Sequence, residues 1–344
     1  MGAPTRPDSD REAIRYCWSA LPRVSRTFAL NIRLLRGTLG DAVCIGYLLC
    51  RAADALEDSW PGDSDALRER FARLLSSFTG DRAAAADLAA RAASQPPRDD
   101  LTLVAHLPRV LAALERLPEA HRAAVVCGAT TLARGMSRYA TRAAGRPREA
   151  PYLDTEAELE DYCFVVAGCV GVMLTELFAA EEGAGDRATH ARRLALAPAV
   201  GRALQLTNIL LDWPADLRRG RCHLPASWLA EHGLAPHQLV GAATRATESL
   251  ARRLEEKARE ALASVPDYVE SIPGRCVRFR LFCLWPALWA LGSLEHARRD
   301  PHFPWGPERP RLPRRALLGS AVGSLVLQPA ALSSLRGAIR GGRA

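Results

Sequence analysis

Two short segments of the chain set oxygen ligands and arginines at spacings that suit divalent-cation chemistry. In Tyr47-Leu-Leu-Cys-Arg51-Ala-Ala-Asp54-Ala-Leu-Glu57-Asp58, the residues Tyr47, Arg51, Asp54 and Asp58 recur about one helical turn apart. At 3.6 residues per turn they share one stripe of a helix. Their neighbours Leu48, Leu49, Cys50, Ala52, Ala53 and Leu56 are apolar, so the rest of that helix should be buried. A charged stripe on a buried helix needs a partner. The segment Gln205-Leu-Thr-Asn208-Ile-Leu-Leu-Asp212-Trp-Pro-Ala-Asp216-Leu-Arg-Arg-Gly-Arg221 repeats the arrangement, with Asn208, Asp212 and Asp216 at i, i+4 and i+8. Oxygen donors in this pattern suit Mg²⁺, which keeps several waters and takes one or two carboxylates plus substrate phosphate oxygens. Arg51, Arg218, Arg219 and Arg221 add planar forks for the remaining phosphate charge. One such segment alone reads more readily as a solvated face with an Arg-to-Asp pair. Two of them, set opposite each other, describe a diphosphate trap.

The elements that must position these residues are helices. Apolar residues recur at three and four positions in Ala13 to Leu21, Ala42 to Leu56, Leu101 to Leu117, Leu159 to Ala180 and Ala191 to Leu211, and alternating β-branched runs are absent. The fold class expected is all-α. Pro and Gly cluster at Pro61-Gly62, Gln95-Pro96-Pro97, Gly145 to Pro151 and Pro301 to Pro313, leaving helices of roughly ten to thirty residues between them. The motifs must converge on one cavity, so a single domain is expected. Residues 1–24 form an N-terminal helix of that domain, 25–296 the core, and 297–344 a loop with an appended C-terminal helix.

Composition narrows the class. The 344 residues are 48% hydrophobic and carry a net charge of +8, which excludes disorder and a disulfide-stapled mini-scaffold. Lys257 is the single lysine among 46 basic residues, and the arginines are spread along the chain without the aromatic-interleaved basic runs of a nucleic-acid surface. No nucleic-acid partner is expected. Nine cysteines, an odd set without a C-x-x-C pair, read as reduced thiols of a cytoplasmic protein. Met1 to Arg15 has no apolar core segment, so no secretory leader is expected. Leu317 to Leu335 is long enough to span a bilayer, but its Gly, Ser, Gln and Pro content suits a core or interfacial helix better. The eight histidines form no pair at metal spacing and are given no role.

These segments resemble the paired aspartate motifs of the squalene/phytoene synthase family, and further matches fall in order along the chain. Ser25-Arg26-Thr27-Phe28 is similar to the family's N-terminal Ser-Arg-x-Phe signature, and Asp161 to Gly171 to its central tyrosine-containing helix. Arg280 to Leu294, with Phe282, Cys283 and Pro286, resembles the Phe-Cys-x-x-Pro segment of the squalene synthase branch. The resemblance implies an isoprenoid-synthase helical bundle with a central apolar cavity that joins two allylic diphosphates, such as farnesyl diphosphate, head to head. It implies that Asp54, Asp58, Asn208, Asp212 and Asp216 hold several Mg²⁺ ions. Arg26, Tyr47, Arg51 and Arg221 would grip the diphosphates, Phe28, Tyr162, Phe164 and Phe282 would shield and stabilise the allylic cation, and Gln205 and Pro286 would be further substrate-binding residues. Tyr162 would shield the allylic cation or relay the proton lost on cyclopropane closure. Gly168 and Gly171 would allow close helix packing or room for the prenyl chain. Squalene synthases go on to reduce the first product with NADPH, which no Gly-rich turn here supports or excludes.

Three departures bear on the reaction. Leu211 stands where the family has a basic residue before the aspartate, Pro214 lies between the two aspartates of the second motif, and Arg311 to Arg315 replaces a lysine-containing basic stretch tied to NADPH use. Three readings stay open: a squalene synthase, a relative that couples without reduction or prenylates an aromatic acceptor, and a non-enzymatic scaffold, against which the intact carboxylates count. An apolar product further implies peripheral contact with a membrane. Chain length of the prenyl group and oligomeric state are not readable.

Overall fold

The computed structural model describes residues 7–147, 150–182, 186–241 and 243–306, together with 310, 313, 332, 333, 335–337 and 339. Along the chain run α1 (Pro7–Val24), α2 (Arg26–Ile32), α3 (Gly37–Asp58), α4 (Ser64–Phe78), α5 (Arg82–Ala93), α6 (Asp99–Ala105), α7 (Leu107–Leu114) and α8 (Glu119–Ala144). After these come α9 (Glu156–Cys163), a π-helical turn (Phe164–Gly168), α10 (Cys169–Glu182) and α11 (Arg187–Arg218). The last described helices are α12 (Ala226–Glu231), α13 (Arg245–Leu262), α14 (Val265–Ser271) and α15 (Val277–Arg298). No strand occurs among the described residues, and the extended backbone contributes one isolated parallel bridge, Leu153 to Pro225. The chain is all-α, as its periodicity requires.

Two details differ from the periodicity reading. The apolar stretch Leu101 to Leu117 is two helices, because α6 stops at His106, whose ring Nδ1 lies 2.8 Å from the Thr102 carbonyl, and Pro108 opens α7 without an N–H to offer. The stretch Leu159 to Ala180 stays helical but changes to the wider π turn at Phe164, just past Tyr162.

The chain divides into two compact units. The first comprises residues 1–145 and 172–187. Its centre is α3, which packs against α1, α6, α7 and α8 and buries Ala42, Val43, Cys44, Ile45, Leu48, Leu49, Ala52, Ala53, Ala55 and Leu56. The turn after α3 is held from α4 by the buried Arg70, whose guanidinium donates to the carbonyls of Leu56, Trp60 and Pro61. That clamp fixes the end of the helix that carries Asp58.

The second unit comprises residues 146–171 and 188–344. Here α11 lies against the backbone of the π turn. A Cβ on Gly201 would come within 2.1 Å of the Ala167 carbonyl oxygen, and one on Gly171 within 2.3 Å of that of Ala197. Gly171 is therefore a close-packing residue, as one of its two expected roles required. A charged network ties α13 to α9: Lys257 meets Glu156 and Glu160, and Arg253 reaches Glu156 at 2.7 Å. The runs 156–182 and 187–218 are long and apolar enough to cross a membrane by length and composition, with 44% of each apolar window buried in the fold. Most of Leu317 to Leu335, and the basic residues Arg311, Arg314 and Arg315, lie outside the described residues.

Candidate functional site

In the first unit, nearly all of α3 from Ala42 to Leu56 is buried, while Tyr47, Arg51, Asp54 and Asp58 keep accessible surface. The helix thus presents the stripe its spacing implied. Arg51 Nη1 lies 3.2 Å from Asp54 Oδ2, and its Nη2 lies 3.1 Å from Asp100 Oδ2 on α6. Ser59 Oγ donates to the same Asp100 oxygen at 2.9 Å. Burial raises the Asp54 carboxyl to about 7, opposed by Arg51 and helped by Asp58, although 35% of the side chain is open to solvent. Asp54 is recessed yet reachable.

The Ser-Arg-x-Phe segment supports this stripe through helix capping. Ser25 is the N-cap of α2, its Oγ accepting from the Phe28 amide at 3.2 Å. The same side chain hydrogen-bonds the Tyr47 hydroxyl, and the Phe28 ring lies 5.5 Å from that of Tyr47. Burial pushes the Tyr47 phenol up to about 12. Arg26 is exposed beside them.

In the second unit, α11 shows the same division. Leu206, Thr207, Ile209, Leu210, Leu211, Trp213 and Pro214 are buried, whereas Gln205, Asn208, Asp212 and Asp216 keep accessible surface. Pro214 is accommodated inside the helix, which continues to Arg218. The chain then turns at Gly220, whose φ of +77° suits glycine, and the Arg221 amide returns to the Asp216 carbonyl at 2.8 Å. The next residues are tied to the segment before α9, the Tyr152 amide donating to the Cys222 carbonyl at 2.7 Å. Together the turn and this tie bring His223 to Tyr152 and Tyr162.

His223 Nδ1 lies 3.3 Å from Asp216 Oδ2 and its Nε2 3.4 Å from the Tyr162 hydroxyl. The Tyr152, Tyr162 and His223 rings form a cluster with centroid separations of 4.9 to 5.6 Å. Of the other expected substrate contacts, Phe282 is buried on α15, Pro286 is half-buried there, and Phe164 is exposed at the π turn.

Asp100, Ser59, His223, Tyr152 and Gly201 are absent from the spacing-based expectations. Each reaches its partner through a turn or a second helix, which no periodicity encodes. Among the described residues, no three His, Cys, Asp or Glu side chains converge into a ready metal cage. Asp54 and Asp58 on α3, and separately Asn208, Asp212 and Asp216 on α11, are instead hard oxygen donors with accessible surface, and each group by itself is of the kind that suits Mg²⁺ with water completing its shell. Arg51 Nε is buried and has no hydrogen-bond partner.

A squalene synthase of Ganoderma lucidum is 31% identical over 225 residues, covering 63% of this chain and 44% of that protein. A 15-cis-phytoene synthase of Enterobacter agglomerans is 44% identical over 110 residues, 30% of this chain and 35% of its own length. The chain thus spans less than half the length of these relatives. A solved structure of a ligand complex named TcSQS superposes with a TM-score of 0.77 at 22% identity, over 95% of this chain and 91% of that one, which shows a shared fold. The squalene/phytoene synthase family model matches residues 21–316, and the chain belongs to that family.

Proposed function

We propose that this protein is a Mg²⁺-dependent prenyltransferase that joins two farnesyl diphosphates head to head to presqualene diphosphate and, with NADPH, carries the product on to squalene. The observation that carries this reading is that α3 between Ala42 and Leu56 and α11 between Leu206 and Pro214 bury their apolar residues and leave Tyr47, Arg51, Asp54, Asn208 and Asp212 accessible, with Asp58 and Asp216 one turn beyond. Asp54, Asp58, Asn208, Asp212 and Asp216 are the metal-holding residues, and bound Mg²⁺ supplies Lewis-acid neutralisation of the departing diphosphate. Arg51 adds charge-assisted hydrogen bonds to the same group, and Arg26 and Arg221 extend that grip. Phe28, Phe164, Phe282, Pro286 and Tyr162 enclose the prenyl chains, and the aromatic faces stabilise the allylic cation. Closing the cyclopropane breaks a C–H bond, and the Tyr162 hydroxyl relays that proton. The apolar product makes peripheral membrane contact part of the reading.

A second reading, phytoene-type coupling that stops before reduction, is favoured by Leu211, which is buried on α11 at the position where the family carries a basic residue. One assay separates the two. Purified protein is incubated with farnesyl diphosphate and Mg²⁺, with and without NADPH, and products are identified by mass spectrometry. Squalene formed only with NADPH supports the first reading. Presqualene diphosphate as the endpoint under both conditions supports the second, and no turnover of any prenyl diphosphate overturns both.

A further inference from the structure

We propose that His223 is a positioning residue that fixes the Tyr162 hydroxyl and joins it to Asp216 of the second acidic motif; this rests on the role given to Tyr162 above. His223 is 10% exposed and Asp216 18%, so the contact is largely withdrawn from water. A carboxylate only accepts, so Nδ1 facing Asp216 carries the imidazole hydrogen and donates it. With Nδ1 as the donor, Nε2 is the acceptor edge of the ring, and the Tyr162 O–H donates to it in the proposed arrangement. The rings of Tyr162 and His223 are stacked, with centroids 5.5 Å apart and planes inclined by 28°.

Tyr152 closes a second side of the cluster. Its ring meets His223 at 4.9 Å and Tyr162 edge-on at 5.6 Å. The phenol rotor is thereby set, its hydrogen pointing to the imidazole. A length of 3.4 Å is at the long end for a hydrogen bond, and catalytic contacts of this kind are commonly long in the absence of substrate. A phenylalanine in the place of His223 would stack equally well but could not accept. Only a side chain with a donor on one edge and an acceptor on the other links both neighbours.

The test combines kinetics with a spectroscopic readout. His223→Phe, His223→Gln and Tyr162→Phe are made singly, and His223→Phe also in the Tyr162→Phe background, and each is assayed with farnesyl diphosphate and Mg²⁺. In parallel, protein labelled with 3-fluorotyrosine is followed by ¹⁹F NMR, the Tyr162 signal being assigned as the one that Tyr162→Phe removes. His223→Phe is expected to lower kcat by about 10- to 100-fold with KM unchanged. It adds nothing in the Tyr162→Phe background and shifts the Tyr162 signal. His223→Gln, which keeps an acceptor oxygen, recovers part of the loss.

Effects that multiply in the double variant, a rise in KM alone, or an unmoved Tyr162 signal overturn the proposal. Turnover of Tyr162→Phe at the unsubstituted rate removes the role of Tyr162, and the positioning proposal falls with it. An unsubstituted chain that turns over no prenyl diphosphate sinks the functional reading instead, while a Tyr162 signal shifted by His223→Phe still supports the contact. If His223→Phe fails to fold, the same outcomes are read from His223→Gln.

Discussion

Arg51 is held by Asp100 across 49 residues of chain, Nη2 to Oδ2 at 3.1 Å, while its other terminal nitrogen lies 3.2 Å from Asp54 one turn along its own helix. One guanidinium therefore serves two carboxylates with different fates. Asp54 is reserved for metal in the proposed reaction, whereas Asp100, which also accepts from Ser59, stays with Arg51. Asp100 is the anchor that keeps Arg51 in place when its other partner is taken.

Replacing that anchor tests the geometry. Asp100→Asn keeps an acceptor for Ser59 and removes the charge. The pair is only partly buried, with 26% and 22% of the two side chains accessible, so its contribution is about 1 kcal/mol. The expected result is a rise of about fivefold in KM for the prenyl diphosphate, with kcat changed less and the melting temperature nearly unchanged. A fall in kcat at constant KM would instead place Asp100 in the chemical step.

What the sequence made legible follows from helix geometry. A helix converts intervals of three and four into a face, so the stripes Tyr47 to Asp58 and Asn208 to Asp216 could be read directly. Ser25 and Phe28 were legible as a signature, although the physical content of that signature, a cap joined to Tyr47, needed coordinates. The Arg51 to Asp100 pair joins different helices, and no local rule encodes it. His223 reaches Tyr162 only because Gly220 turns the chain and Cys222 accepts from Tyr152. An isolated histidine in a sequence gives no sign of such an encounter.

Close helix contact gives a stability prediction with an internal control. A Cβ at Gly201 would meet the Ala167 carbonyl oxygen at 2.1 Å and its carbon at 2.5 Å, both backbone atoms that cannot rotate away. At Gly46 the nearest atoms are Met173 Cε at 3.2 Å and Sδ at 3.3 Å, the end of a flexible side chain. Gly201→Ala is expected to cost about 3 kcal/mol and Gly46→Ala about 1 kcal/mol or less, read from urea unfolding midpoints. Equal costs would mean that α11 shifts freely against the π turn.

Burial also decides thiol reactivity. Cys17, Cys163 and Cys222 are pushed up to about 12 by loss of solvent, and Cys44 and Cys283 are raised as well. The thiolate is the reactive form, so at pH 8 a thiol at about 12 has only about one part in ten thousand available. Cys127 is exposed. Brief iodoacetamide treatment of the native protein at pH 8 should modify Cys127 first and leave Cys17, Cys44, Cys163, Cys222 and Cys283 intact in peptide mass spectra. Labelling of Cys163 or Cys222 at a comparable rate would contradict their packing.

Asp54→Asn and Asp212→Asn separate metal binding from folding. An amide keeps a hydrogen-bond acceptor for Arg51 but is a far weaker Mg²⁺ ligand than a carboxylate. Since burial already disfavours the Asp54 charge, and 35% of its side chain is open to solvent, a neutral amide should change stability by no more than about 1 kcal/mol. Turnover should fall by at least about 10²-fold in each variant, because transition-state charge on the leaving diphosphate loses its counterion. Circular dichroism and the melting curve should stay close to those of the unsubstituted chain, and activity should recover in part as Mg²⁺ is raised. Near-normal turnover in either variant at ordinary Mg²⁺ would remove that carboxylate from the metal site, and a collapsed melting curve would show it to be a folding residue instead.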